Sequence, residues 1–513
     1  MTVELAIERR AINPLFVLIT ASTGCAMTVL DTNVVAIVLP AIARDFRASF
    51  ADVEWVISSY VLCFASLLLP AGAIADRFGR RRIFLIGIGA FAVTSLLCGI
   101  APSAISLCLA RALQGASAAF LLAPALAIIG HSFHGEAERS RAWAIWGGMM
   151  GLTMVLAPII GGVIAYAAGW RWAFHINVPV CALLAVAAAL FVTESRDDAA
   201  ERLDPAGILF FTASMLGLTW GLINGQGHGW TSESALMGFI GGALALGLFV
   251  IVERGQQRPM LDLRLFSDPR FVGAVWAMFA YAACAQVMAS MLPQFLQNGL
   301  GRTALEAGFA MLPFALAMLV FPHVGRRLGH FLSSPGILAL GLAVVGLGNA
   351  LTAWGAQLRD WPVVISGMLM LGSGGGLLNG ETQKAIMSVV PRERAGMASG
   401  ISTTARFTGI LLGFAMLSGV LATVVRGGLA QTAYGEPFGR SSGFADAVVA
   451  GDLPNAVAGL TGTARDIAIE HARSAFSYGF SVALITAAVF ALISSFAIYR
   501  LARARRTGAH RAR

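Results

Sequence analysis

Lysine is nearly absent from this chain: Lys384 is the single lysine among 36 basic residues in 513. Charged residues of both signs make up only 12%, about half the share usual in soluble domains. A soluble globular fold of this length is therefore excluded. The net charge of +9 would suit nucleic acid, but the placement of the arginines, given below, accounts for it better. Cysteine is sparse as well. Cys25, Cys63, Cys98, Cys108, Cys181 and Cys284 lie in or beside apolar runs with no C-x-x-C pair. That excludes a disulfide framework or a metal centre and leaves small buried side chains. There is no nucleotide-binding loop, zinc-ligand spacing or nucleophile elbow. His131, His134 and His175 are isolated at the edges of apolar runs and do not read as ligands. No enzyme chemistry, metal or cofactor is expected.

What the chain has instead is apolar length. Hydrophobic residues make up 57%, and about 20 in a row cross a bilayer as a helix. Fourteen such runs are predicted, from 15–40 to 397–424 and 475–500. The two acids ahead of Arg9 and Arg10, and the lack of a small-residue cleavage site after the first run, read as a retained first helix and not a removed signal peptide. An even count puts both termini on one side. With the termini inside, 25 basic residues are cytoplasmic and nine external, the bias expected of cytoplasmic loops. The predicted architecture is an all-α polytopic membrane protein. Residues 1–195 form one six-helix bundle, 196–270 two inserted spans with charged flanks, and 271–513 a second six-helix bundle with a polar external loop at 425–474.

The stretch Gly72 to Arg82, GAIADRFGRRR, joins the second and third runs. A positive-inside anchor would explain its arginines, but not the spacing of Gly72, Asp76, Arg77, Gly79, Arg80 and Arg81. That spacing resembles the signature loop of the major facilitator superfamily, G-x-L-a-D-r-x-G-r-[KR], with Ile74 in place of the Leu. The resemblance implies a cytoplasmic gate whose Asp meets the positive end of a neighbouring helix and an Arg. A weaker echo, Gly325-Arg326-Arg327-Leu328-Gly329, supports paired halves.

Further runs resemble the fourteen-helix drug:proton antiporters of that superfamily. The first ends LDTNVVAIVLP, similar to L-D-x-T-[IV]-V-N-x-A-L-P, and places Asp31 inside the membrane, where an ionisable residue marks function by default. A structural Asp at a kink near Pro40 is the alternative. The fourth run carries Arg111, Gln114 and Gly115, similar to R-x-x-Q-G-x-[GA]. Counted at about 1.5 Å per residue, Asp31 and Arg111 lie at matching depth and could pair. Such a pair, set between burial and charge attraction, is either a proton-exchanging site or a fixed ion pair. Ala157-Pro158-Ile159-Ile160-Gly161-Gly162 resembles the exporters' G-P-x-x-G-G, and the bland alternative is a small-residue packing face. The thirteenth run resembles A-G-x-A-S-G-x-x-N-T-x-R-Q-x-G, with Arg406 at the Arg and Thr403 and Phe407 departing from it.

The resemblance implies a proton-coupled exporter of amphipathic organic compounds in the cell membrane, both termini cytoplasmic. Its partners would be a small-molecule substrate, protons and the lipid bilayer, without nucleic acid, the chain acting as a monomer. Asp31, Arg111 and Glu381 are the proton-coupling candidates. Gln114, Gln286, Asn379, Glu381 and Arg406 are the candidates for the substrate cavity. For Glu381 an interfacial pair with Lys384 is the alternative. Export of one endogenous metabolite, or a non-transporting receptor or anchor, are the other functions weighed.

Overall fold

The computed structural model describes residues 13–48, 50–133, 136–196, 204–256, 263–389, 395–430 and 442–511. The readings of the N-terminal dozen residues, of His134 and of part of the 425–474 loop lie outside these. Among the described residues every regular element is helical.

Fourteen helical spans follow one another. They are α1 Pro14–Phe46, α2 Phe50–Phe78, α3 Arg80–Gly99, α4 Ala104–Ser132 and α5 Glu136–Ala167. Then come α6 Trp172–Phe191, α7 Pro205–His228, α8 Glu233–Gly255, α9 Pro269–Gly299, α10 Ala304–Leu328, α11 Ser334–Leu358, α12 Trp361–Val389, α13 Ala395–Ala430 and α14 Gly462–Arg511. Thirteen are long and apolar enough to cross a membrane as they stand, and α2 makes the fourteenth as a span bent by 48° between Leu68 and Pro70. A proline removes one helical hydrogen bond and clashes with the preceding turn, which accounts for the bend.

α1–α6 pack as one bundle and α9–α14 as a second. The inserted pair α7 and α8 form a hairpin, and α7 lies against α2 and α13 where the bundles meet. The bundles join along α5 with α10, α2 with α13 and α1 with α9. Large apolar side chains such as Val93, Ile105, Leu109, Leu183 and Leu244 stay exposed, as helices facing lipid require.

Several ends differ from the sequence reading. α1 runs past Pro40 to Phe46 and stops at Arg47, whose φ of 49° is left-handed and cannot continue a helix. α14 starts at Gly462, not at 475, because its first turns are amphipathic and exposed. Helices of that kind form by packing but carry too little apolar character to register as a membrane run. The 425–474 segment is therefore largely helical where it is described, with short helices at Ser442–Ala450 and Leu453–Ala456. α9 contains two π-helical stretches, Ala282–Gln286 and Phe295–Gly299, which periodicity did not reveal.

Candidate functional site

The first bundle is built around one ion pair. Asp31 sits midway along α1 and Arg111 on α4, with Nη1 of Arg111 donating to Oδ2 of Asp31 at 2.6 Å and side chains 1% and 0% exposed. Gln114 lies one turn along α4 from Arg111, so both point the same way. Its amide donates to Oδ1 of Asp31 at 2.9 Å and to Ser95 Oγ at 2.7 Å. Asn177, at the start of the longer piece of α6, donates to the same Oδ1 at 3.0 Å. Asp31 thus accepts from three side chains on two other helices.

Arg111 does not depend on Asp31 alone. Its Nη1 donates to Gln114 Oε1 at 2.6 Å, its Nε to the Val56 carbonyl at 3.2 Å, and its guanidinium stands 4.1 Å from the Tyr60 ring centroid. The Val56 and Tyr60 contacts require α2 to approach α4 closely. Gly115 permits this: a Cβ there would stand 2.1 Å from the Tyr60 carbonyl oxygen.

The small-residue run of α5 lies on the α5–α10 seam. Ala157 is fully buried. A Cβ on Gly161 would meet Val34 and Ile37 of α1 at 3.2 Å, and one on Gly162 would meet the Ala304 carbonyl at 2.9 Å. From the far side, a Cβ on Gly308 would stand 2.4 Å from the Pro158 carbonyl oxygen. The run is where the two bundles touch backbone to backbone.

Other contacts between the bundles collect at this same end, opposite the Asp76 loop. Gln297 donates to the Ile37 carbonyl at 2.9 Å, and Asn455 to the Arg44 carbonyl at 3.1 Å. Ser418 of α13 donates to Glu54 Oε1 of α2 at 2.6 Å, while Glu54 Oε2 is buried without a partner. Beside Asn455, burial raises the pKa of Asp452 above its ordinary value, against the opposing pull of Arg44 and Arg47.

At the other end, the described hydrogen bonds of the Gly72–Arg82 loop stay within the first bundle. Asp76 accepts from Arg80 at 2.7 Å. Gly79 turns the chain with a φ of 107°, open to glycine at no steric cost. The residue that meets the positive end of α3 is Glu194, accepting from the backbone N–H of Arg81 at 3.0 Å and of Arg82 at 3.1 Å. Arg81 donates to the Ala189 carbonyl at 2.6 Å. Among the described residues Asp76 meets Arg80 and no helix end, and Glu194 caps the start of α3. The Asp76 carboxylate, near the end of α2, is matched by the guanidinium of Arg80, the first residue of α3, leaving the next N–H groups of α3 to the acid in the loop after α6. Arg77 is exposed beside the Phe78 ring, and Gly72 faces Ala123.

In the second bundle, Lys384 stands 3.3 Å from both carboxylate oxygens of Glu381. Lys384 is exposed and Glu381 buried, the arrangement of the interfacial pair. Arg406 of α13 donates from Nε to Gln286 Oε1 at 2.8 Å. Gln286 is nearly buried and Asn379 half-buried.

The sequence profile described as the Major Facilitator Superfamily matches residues 21–414. The chain belongs to this superfamily. Among its relatives, a multidrug resistance protein Stp of Mycobacterium tuberculosis is 36% identical over 80% of this chain and 76% of the relative. A multidrug efflux pump LfrA of Mycolicibacterium smegmatis is 31% identical over 91% and 92%, and a tetracenomycin C resistance and export protein of Streptomyces glaucescens is 34% identical over 80% and 76%. The fold matches a bacterial homologue of the human lysosomal transporter Spinster, in an inward-facing and unoccupied conformation, at a TM-score of 0.65 and 17% identity over 95% of this chain and 98% of that one. A peptide transporter in complex with sulfate matches at a TM-score of 0.62 and 14% identity, over 96% of each chain.

As a member of the superfamily the chain is a multi-pass membrane transporter and not an enzyme, and the relatives named are resistance and efflux proteins. Asp31, Arg111 and Gln114 come together in the first bundle, and Gln286 and Arg406 in the second. Glu381 makes no described contact with either set. Asn177, Ser95, Tyr60, Glu54 and Glu194 did not emerge from the sequence. Asn177 and Glu54 could have: each is a strongly polar residue in an apolar run, the same signal that picked out Asp31.

Proposed function

We propose that this transporter exports amphipathic organic compounds by alternating access, driven by protons moving inward through Asp31. The observation that carries this reading is the buried Asp31–Arg111 pair and its reserve contacts. A buried ion pair is costly to break when the surviving charge is left bare, about 3–5 kcal/mol. Here Arg111 keeps Gln114, the Val56 carbonyl and the Tyr60 face, so protonating Asp31 leaves the cation solvated by protein. Two arrangements of the site of comparable energy follow, as a switch requires.

The basic loops assign the Asp76 end to the cytoplasm. Contacts that join the bundles then seal the outer end, the state in which substrate enters from inside. Outward opening would separate Gly162 from Ala304, Gly308 from Pro158 and Ser418 from Glu54, and would bring the Asp76 loop against the second bundle. Relatives named for a single compound, as for tetracenomycin C and cephamycin, favour export of one specific metabolite as a second reading. Accumulation of fluorescent compounds in pump-deficient cells expressing the chain, with and without a protonophore, tests export. Lower accumulation that the protonophore abolishes supports it, and equal accumulation in vector controls opposes it.

A further inference from the structure

We propose that Arg406 and Gln286 form the recognition point for an acidic group on the substrate, so that the chain prefers amphipathic organic anions, carboxylates or phenolates. The inference rests on the exporter reading above and names its substrate class.

Two basic side chains, Arg111 and Arg406, lie well within spans, and Lys384 stands near the end of α12. Arg111 is matched by Asp31 and Lys384 by Glu381. Among the described residues Arg406 forms no ion pair, and its one hydrogen bond goes to the neutral Gln286 amide. It lies eleven residues into α13, about 16 Å along the axis. A cation held there without a carboxylate costs free energy that a ligand can recover.

Its position suits a ligand. The next residue, Phe407, packs edge-on against Phe64 of α2, centroids 4.4 Å apart, and Thr408 touches Met215 of α7. This stretch of α13 therefore lies at the seam between the bundles, and Arg406 is only half-buried. Gln286 closes the π-helical stretch Ala282–Gln286 of α9. π-bulges inside α-helices are frequent at functional sites, and this one lies against Gly409 and Gly413, one and two turns beyond Arg406. Nearby, the buried Tyr281 hydroxyl lies against Gln286. A guanidinium offers two parallel donors to a carboxylate, and the Phe64–Phe407 pair offers an aromatic wall for the apolar part.

The carboxylates do not offset this. Asp31 and Glu381 are neutralised by their own partners, and Glu54 lies at the opposite end of α2 from the Asp76 loop, held by Ser418. Ser418 is twelve residues along α13 from Arg406, about 18 Å, so the charge left over beside Arg406 is positive.

The test uses two xanthene dyes of similar size, fluorescein as the anion and rhodamine 123 as the cation, with the full-length protein in phosphatidylcholine vesicles under an imposed pH gradient. The parent chain is expected to export fluorescein faster. Arg406→Gln is expected to lower the fluorescein-to-rhodamine ratio at least about tenfold, the scale of one lost charged hydrogen bond, and Arg406→Lys to restore most of it. Fluorescein binding to the purified protein should weaken in parallel. A parent that exports only rhodamine 123, or an Arg406→Gln variant that slows both dyes equally, overturns the anion site while leaving export standing. Inhibition of fluorescein export by added phosphatidylglycerol would assign the guanidinium to a lipid phosphate and also overturn it. Arg406-dependent fluorescein binding without uphill export of either dye contradicts the exporter reading and not the anion site.

Discussion

Asn177 donates to the same carboxylate oxygen of Asp31 that Gln114 does, at 3.0 Å against 2.9 Å. α6 therefore helps to set the site, although the motif residues lie on α1 and α4. Asn177→Leu keeps approximate size and removes the donor. It also removes a donor to Ser95 Oγ at 3.2 Å, and loss of the buried hydrogen bond to a charged group alone costs about 1.5–3 kcal/mol. The expected outcome is a normally inserted protein with a lowered Tm and a shifted pH profile of transport. An unchanged pH profile would make Asn177 a packing residue only.

The seal that the proposal places at the outer end depends on a close backbone approach. A methyl group at Gly308 would stand 2.4 Å from the Pro158 carbonyl, and overpacking of this kind costs about 1–3 kcal/mol. Gly308→Ala should favour the outward-open arrangement. Labelling of a cysteine introduced at Ile37 by a membrane-impermeant reagent measures this. Faster labelling than in the parent background is expected, and equal rates would contradict the seal.

Ser418 and Glu54 make the corresponding contact across the α2–α13 seam. Ser418→Ala leaves Glu54 buried with neither oxygen satisfied, at a cost of about 1–3 kcal/mol. The Tm of the purified protein should fall, and outer labelling should rise as for Gly308→Ala. Glu54→Gln combined with Ser418→Ala should recover part of the loss, because the buried charge is removed.

At the end that the proposal places in the cytoplasm, Asp76→Asn should leave Tm nearly unchanged and slow transport, since among the described residues Asp76 pairs only with Arg80. Glu194→Ala should do the reverse in part. It removes both caps from α3, worth about 0.5–2 kcal/mol, and should lower Tm. Transport by Asp76→Asn at the parental rate would remove the loop from the gate.

The legible part of this protein was whatever depends on composition and depth. Fourteen spans follow from apolar length, and the Asp31–Arg111 pair follows from equal depth on two helices. Features created by packing were not legible. The π-helical stretches of α9 have no sequence period of their own. The early turns of α14 are too polar to count as membrane. Glu194 caps α3 from a loop more than a hundred residues away in sequence, and no local pattern marks such a contact. Glu381 was selected for being acidic and intramembrane, but its partner is Lys384, three residues along the same helix.

The central claim is that Asp31 carries the coupling proton. Asp31→Asn keeps shape and most hydrogen bonding but takes up no proton, and Arg111 retains its other contacts, so the variant should insert normally. The decisive measurement is substrate efflux from proteoliposomes under an imposed pH gradient, with binding followed in parallel. The account predicts loss of gradient-driven efflux with substrate binding retained. Efflux by Asp31→Asn at the parental rate and with the parental response to the gradient would contradict it.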